Sequence, residues 1–331
     1  MNAAKRRLLA VDHWQQCHRP FAVAYAVIRK FGDDDANLLV VALGWYGFTA
    51  IYPLLLVVIT IFGYIGVASL GTQIVTTLHQ FPVIGSQFVA ARGGSTLHGS
   101  VLGIIVGVAG LLYGAQGVTQ TAQQTMARVW NVPRIKRPAF VPRLLRSVSG
   151  LAVIGCAFFS NAFVGAIATG HAHSYALRAP LIGAMLAANV GFYLAAFTIL
   201  TSHATSTRQL LPGAILGGTG FTALTTLGTG LMQHQLRNTT NTYGAFASVI
   251  GVVTYLLLLA KLTVYSAELN PVLSRRLWPR SLLATPPTKA DNQVLHDLAH
   301  EERRRRDEQI GVGFDPNASE QAARDAHHDG V

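Results

Sequence analysis

Acidic residues are missing from most of this chain. No aspartate or glutamate occurs between Asp35 and Glu268, and only 12% of the residues are charged although half are hydrophobic. Soluble domains are usually about 25% charged and carry carboxylates over their whole surface. The composition therefore excludes a water-soluble fold for the central part of the chain and predicts a membrane protein.

Cysteine and the usual catalytic patterns are also scarce. The two cysteines, Cys17 and Cys156, fall in different predicted segments, so no disulfide framework is available. Metal-dependent hydrolases need histidines clustered with Asp or Glu, whereas the histidine pair His171 and His173 has no carboxylate or cysteine beside it. We therefore predict no enzyme activity, no metal site and no cofactor.

Long apolar segments fill the region without carboxylates. Each is close to the roughly 20 residues that a helix needs to cross the hydrocarbon of a bilayer. We predict six spans, at residues 38–67, 100–118, 144–169, 180–201, 210–232 and 243–266. The predicted fold is an all-α, polytopic membrane bundle of about six transmembrane helices with interfacial amphipathic helices.

Three regions follow from this division. Residues 1–37 are predicted to form a cytoplasmic N-terminal segment with an interfacial helix, and residues 38–266 the six-span membrane domain. Residues 267–331 are predicted to be a cytoplasmic, largely disordered tail, because the chain from Pro279 onward is polar and poor in aromatic residues. Within that tail, residues 290–309 have the pattern of a short helix.

The basic residues indicate the orientation. With the N-terminus inside, 22 of the 26 Lys and Arg residues fall in cytoplasmic segments, whereas the outer loops hold only Arg92, Arg178 and Arg237. Basic residues collect on the cytoplasmic side of membrane proteins, so both termini are predicted to be cytoplasmic. The same asymmetry explains the net charge of +11. We therefore expect membrane lipids as partners and no nucleic acid.

The second predicted span has glycines on one side. Their spacing of three or four residues places them on one narrow strip of a helix. In lipid, such a strip allows two backbones to approach closely and gain packing contacts. The glycines of the strip are Gly99, Gly103, Gly107, Gly110, Gly114 and Gly117.

Polar side chains occupy the opposite face at the end of the same span. They are Gln116, Thr119, Gln120 and Gln123. Two interpretations remain open. The helix emerges into water there, or the face turns inward to line a solvent-filled vestibule or to hydrogen-bond another helix.

The last predicted span has a second polar face. Lys261, Tyr265 and Glu268 are four and three residues apart and share one side of a helix. Lys261 either extends its ammonium to the headgroups or pairs with Glu268. Together with the Gln and Thr face of the second span, these three residues are the candidates for a substrate path.

Five stretches resemble the YihY/YhjD/BrkB family of bacterial multi-pass inner-membrane proteins, in the order in which they occur in that family. They are IYPLLLVV at 51–58, MARVWNV at 126–132, LLPGAIL at 210–216, TYGAFASVIGVV at 242–253 and SAELNPVL at 266–273. The resemblance covers about residues 21–273. Ser266 departs from it, since the family pattern more often has Gly at that position.

The resemblance implies a bacterial plasma-membrane protein of envelope maintenance. One function that it implies is the transport or flipping of a lipid-like envelope component, and the alternative is a non-transporting scaffold for envelope integrity. A cavity between the second and sixth spans would favour the first function, whereas tight helix packing there would favour the second. Some members carry a ribonuclease BN label, and the absence of metal-ligand clusters argues against extending it to this chain.

Overall fold

The computed structural model describes residues 3–65, 101–136, 175–201, 205–238, 244–282 and 287–314, with a few single positions between 142 and 153. Most of the predicted third span, the chain between residues 65 and 101 and the last 17 residues lie outside this described part.

Every regular element in the described part is helical, which confirms the all-α prediction for these residues. The α-helices are α1 (Ala3–Cys17), α2 (Arg19–Asp33), α3 (Ala36–Ile65), α4 (Val101–Val129), α5 (Tyr175–Leu200), α6 (Thr207–Asn238), α7 (Gly244–Ser274) and α8 (Lys289–Glu301). A short 3-10 helix, Arg134–Lys136, follows α4.

Two of these helices are long and apolar enough to cross a membrane. The qualifying stretches among the described residues are Pro180–Leu200 of α5 and Val249–Ser274 of α7, and a shorter apolar stretch, Ala36–Ile51, opens α3. Six spans are therefore not confirmed, and the other four stay predictions. Helix α4 continues without a break through the Gln and Thr residues to Val129.

Helix α7 is the central element of the described part, since it packs against α2, α3 and α6. Helix α6 packs closely because it has glycines where it crosses its neighbours. A Cβ on Gly217 would overlap the ring of Tyr193 in α5, and one on Gly220 would overlap Leu262 in α7. These glycines therefore allow α6 to approach both α5 and α7 closely.

The C-terminal segment is packed where a largely disordered tail was predicted. The short helix predicted within residues 290–309 is present as α8. A capping box between Thr288 and Asp291 forms its N-terminus. Val294 is buried, and the carboxylate of Glu301 accepts from Arg128 at 3.3 Å and from Asn131 at 3.1 Å. These long-range contacts compensate for the few apolar residues of α8 and hold it against the chain around the end of α4, whereas the disorder predicted for the tail as a whole stays a prediction.

The N-terminal segment joins the same assembly. It contains two helices, of which α2 buries one face with Ala22, Ala26 and Val27 and exposes the apolar side chains of Phe21 and Ile28 on another. Two contacts connect it to the chain after α7. Arg280 donates to Asp33 at 2.8 Å, and the backbone N–H of Leu282 donates to Asp12 at 3.0 Å. The two ends of the described chain therefore pack together.

Candidate functional site

A buried ionic cluster lies where α2 meets α7. It consists of Lys30 and Asp34 at the end of α2 and Glu268 of α7, and all three side chains are fully buried. The ammonium Nζ of Lys30 is 2.5 Å from Oδ2 of Asp34 and 3.2 Å from Oε2 of Glu268. These three residues are called the ionic cluster.

The geometry of α2 positions the cluster. Lys30 and Asp34 are four residues apart, so their side chains lie on the same side of the helix. Next to them, the ring of Phe31 stacks on the ring of Tyr265 with centroids 4.2 Å apart. Phe31 also packs with Val40 and Val264 in an apolar cluster. These contacts hold the apolar face of α2 against α7 and exclude water from the charges.

Lys30 carries the positive charge of the cluster. Burial alone would lower the pKa of its ammonium, but the adjacent carboxylates of Glu268 and Asp34 outweigh burial and raise that pKa above its ordinary value. Lys30 is therefore an ammonium at neutral pH. Its one positive charge faces two carboxyl groups, which carry two negative charges when both are ionised.

Of the two interpretations of Lys261, the structure does not show the pairing with Glu268. Lys261 is exposed, and the ion pair of Glu268 is with Lys30. Sequence reasoning missed Lys30 and Asp34, although α2 contains a signal: Lys30 continues the four-residue spacing of the buried Ala22 and Ala26. A lysine within an apolar stripe is rarely buried without a partner.

A cavity of about 480 Å³ lies between α3, α4, α5, α6 and α7. It forms because α4 packs along α3 and makes few contacts with α5 and α7. Its walls are mostly apolar and include Ala122 and Met126 of α4, Phe192 and Ala196 of α5, and Leu256 and Leu259 of α7. Ligand sites in proteins have volumes of about 300 to 1,000 Å³, so the cavity is large enough for a small molecule or part of a lipid.

A few polar groups interrupt the apolar wall. Tyr193 shares a hydrogen bond of 3.0 Å with Thr263, and the amide of Asn189 donates to Thr222 at 2.9 Å. Thr119 of α4 also lines the cavity. An apolar wall of this kind suits an apolar chain. In such pockets the few polar groups of the wall fix the orientation of the ligand.

The Gln and Thr face of α4 is only partly directed to this cavity. Thr119 is buried and lines it, as the inward-facing interpretation predicts. Gln123 is buried but is not among the lining residues, and Gln116 and Gln120 are half-buried. Buried Thr119 and Gln123 show that α4 does not simply emerge into water at these positions.

The glycine strip faces α3 at its described end. A Cβ on Gly117 would overlap the ring of Tyr46 in α3, and α3 is the helix that α4 contacts most. Gly110 is half-buried. The surroundings of the other glycines of the strip lie outside the described residues, so their packing role stays a prediction. These are Gly99, Gly103, Gly107 and Gly114.

A comparison with models of protein families shows to which family the chain belongs. The family model described as "Virulence factor BrkB" matches residues 27–290, which is more than half of the chain. This chain belongs to the BrkB family. No curated protein and no solved structure matches it. The family is one of membrane proteins, and with its apolar helices the chain is a membrane protein.

The BrkB match covers the ionic cluster and the cavity, since both lie within residues 27–290. It also covers two motifs that the structure brings together. The backbone N–H of Gly213 in LLPGAIL donates to Oδ1 of Asn270 in SAELNPVL at 2.7 Å. Ser266, the departure from the family pattern, is buried and donates to the carbonyl of Leu262 at 2.7 Å. Its hydroxyl is therefore accommodated within α7.

Proposed function

We propose that this BrkB-family protein binds and moves an amphipathic, lipid-like component of the bacterial envelope, without a chemical step. The cavity is the observation that carries the proposal. Its volume of about 480 Å³ and its mostly apolar walls suit an acyl or similar chain. The cavity lies between α4 and α7, the helices of the second and sixth predicted spans, where transport requires an opening.

The proposal places the protein in the plasma membrane with six spans and both termini in the cytoplasm. The basic residues support this orientation. The contacts of Asp12 and Asp33 with the chain after α7 support it as well, because packed segments lie on the same side of a membrane. Reporter fusions at Gly94, His171 and Thr239 should all indicate the outer side. A cytoplasmic signal from any of them would contradict the orientation.

A lipid-extraction experiment tests the cavity. The protein is purified in a mild detergent, and the lipids that remain bound are identified by mass spectrometry. Ala196→Phe places a ring in the cavity, whereas Ala187→Phe places the same ring on the exposed side of α5. We expect the bound lipid to be lost in the first variant and retained in the second. Equal retention in both would remove the support for the cavity.

A scaffold without transport is the second candidate, and the glycine contacts of α6 favour it. Gly217 and Gly218 bring α6 within overlap distance of α5, so this pair of helices has little room to move. Purified protein in vesicles separates the candidates through the movement of a fluorescent phospholipid between leaflets. Movement that Ala196→Phe abolishes supports transport. Bound lipid without any movement supports the scaffold.

A further inference from the structure

The ionic cluster has an uneven charge. If all three groups were ionised, the carboxylates of Asp34 and Glu268 would face one ammonium of Lys30 and leave one negative charge unpaired. An ion removed from water costs several kcal/mol unless it is paired and hydrogen-bonded. The fully ionised cluster is therefore an unfavourable state in a position without solvent.

The ammonium of Lys30 does not satisfy every carboxyl oxygen of the cluster. It donates to Oδ2 of Asp34 and lies 3.2 Å from Oε2 of Glu268, whereas within the described residues Oδ1 of Asp34 and Oε1 of Glu268 accept no hydrogen bond. Buried carboxylates normally accept hydrogen bonds at both oxygens. Two buried carboxyl oxygens without a donor, together with one excess negative charge, indicate that a proton is missing from the cluster.

Arg128 is a charged group of a neighbouring helix that comes near the cluster, and its charge is shared with carboxylates outside it. Arg128 of α4 donates from Nε to the backbone oxygen of Asp34 at 3.2 Å, but its guanidinium pairs with Glu301 at 3.3 Å. On α7, Lys261 is exposed and the ring of Tyr265, a group that cannot carry a positive charge, is stacked on Phe31.

The remaining charges of α2 and its surroundings are also paired elsewhere. Asp33 contacts Arg280 at 2.8 Å and Arg29 at 3.8 Å, and Asp35 contacts Arg128 at 3.7 Å. The described residues that α3 and α6 pack near the cluster, such as Ala36 and Gly213, carry no charge. Among the described residues, Lys30 is therefore the cation that donates to a carboxyl oxygen of the cluster, while the guanidinium of Arg128 lies near Asp34 and is shared with other carboxylates.

We propose that the ionic cluster binds one proton, held by Glu268 and donated as a hydrogen bond to Asp34, and that its release and return couple proton movement to transport. The proton site itself depends only on the cluster, whereas the coupling rests on the transport function proposed above. Binding converts one carboxylate to a carboxylic acid and leaves Lys30 and Asp34 as a neutral pair. Release returns the proton to water and leaves two carboxylates facing each other.

The position of the cluster connects it to the cavity. Ala260 lines the cavity and lies eight residues before Glu268 on α7, which is about 12 Å of helix rise. Ala260 also belongs to the apolar cluster that contains Phe31 and Val264. When the proton leaves, repulsion between the carboxylates of α2 and α7 loosens this contact. The cavity wall then shifts, because α7 carries both Glu268 of the cluster and Ala260 of the wall.

Infrared spectroscopy of the purified full-length protein tests the proton site. We expect the carbonyl band of a buried carboxylic acid at neutral pH, shifted in heavy water and missing in Glu268→Gln. Glu301→Gln is the matched control, since Glu301 is equally buried but has a donor at each oxygen. Its band should be unchanged from that of the unmodified protein.

Two results would overturn the proton site. One is the absence of the band in the unmodified protein over the whole range from about pH 5 to about pH 8. The other is a band that persists in Glu268→Gln. If that variant does not fold, Asp34→Asn serves instead, because it leaves one carboxylate facing one ammonium and should therefore remove the band or shift its frequency. An unchanged band in Asp34→Asn would contradict the hydrogen bond.

Lipid movement in vesicles with an imposed proton gradient tests the coupling. For the unmodified protein we expect the rate of lipid movement to change several-fold with the gradient. For Glu268→Gln we expect the ratio of the rates with and without the gradient to be about one, which means no linkage. Lipid movement by the unmodified protein that ignores the gradient would refute the coupling and leave transport standing. An infrared band without any lipid movement would refute transport and leave the proton site standing.

Discussion

Replacing Lys30 with Met tests whether the structure has identified the correct partner of the buried carboxylates. The substitution keeps the apolar stem and removes the ammonium that lies 2.5 Å from Asp34 and 3.2 Å from Glu268. Removing one member of a buried ion pair leaves an uncompensated charge and costs about 3 to 5 kcal/mol. Against a total stability of about 5 to 15 kcal/mol, we expect a large loss, measured by equilibrium unfolding in mixed micelles.

Two further variants give this prediction its contrast. Lys261→Met removes an exposed ammonium from α7, so its cost should stay within about 0.5 kcal/mol. The double variant Lys30→Met with Asp34→Asn removes both charges of the close pair and should recover much of the loss. If Lys261→Met is as destabilising as Lys30→Met, the pairing that we describe for Glu268 is refuted.

Two predictions concern other contacts. Gly213→Ala should lower the free energy of unfolding by about 1 to 3 kcal/mol, because a Cβ there would overlap Asn270 and the carbonyl of Ser266; Gly183→Ala, with no atom within 4 Å, is the control and should not destabilise, and equal effects would refute the close approach. Burial raises the pKa of Asp291, but hydrogen bonds from Thr288 and Arg280 outweigh burial and lower that pKa below its ordinary 3.8. The contribution of Asp291 to the free energy of unfolding is therefore present above pH 3.8 and is lost as the pH falls through the lower pKa of the folded state. Hydrogen exchange of α8 should therefore accelerate in acid below that range, and unchanged protection there would contradict the role of Asp291.

Much of the fold could be predicted from the sequence because its signals are local. Composition excludes a soluble core between Asp35 and Glu268, and periodicity places the glycines of α4 on a single strip. The described contact of Gly117 with Tyr46 agrees with this strip. Each of these inferences needs only residues within a few helical turns of one another.

The tail and the site required contacts between distant residues. Helix α8 has too little apolar surface to predict its docking, and it packs through Glu301 against Arg128 and Asn131, about 170 positions earlier in the chain. The cavity likewise results from the way in which five helices are arranged, since none of its lining residues is unusual in its own helix. Thr119 is the one predicted path residue that lines it.

The ionic cluster shows why local patterns were insufficient. The sequence by itself determined that the chain is helical and membrane-bound, because composition and spacing decide such properties. It also showed that Glu268 is the first carboxylate after Asp35 and lies near the end of a long apolar segment. Only the tertiary structure decided that Lys30, 238 positions away, and not the nearby Lys261, lies beside it. Spacing along one helix identifies which residues share a face, but burial by a second helix decides which charges lose water and must find a partner.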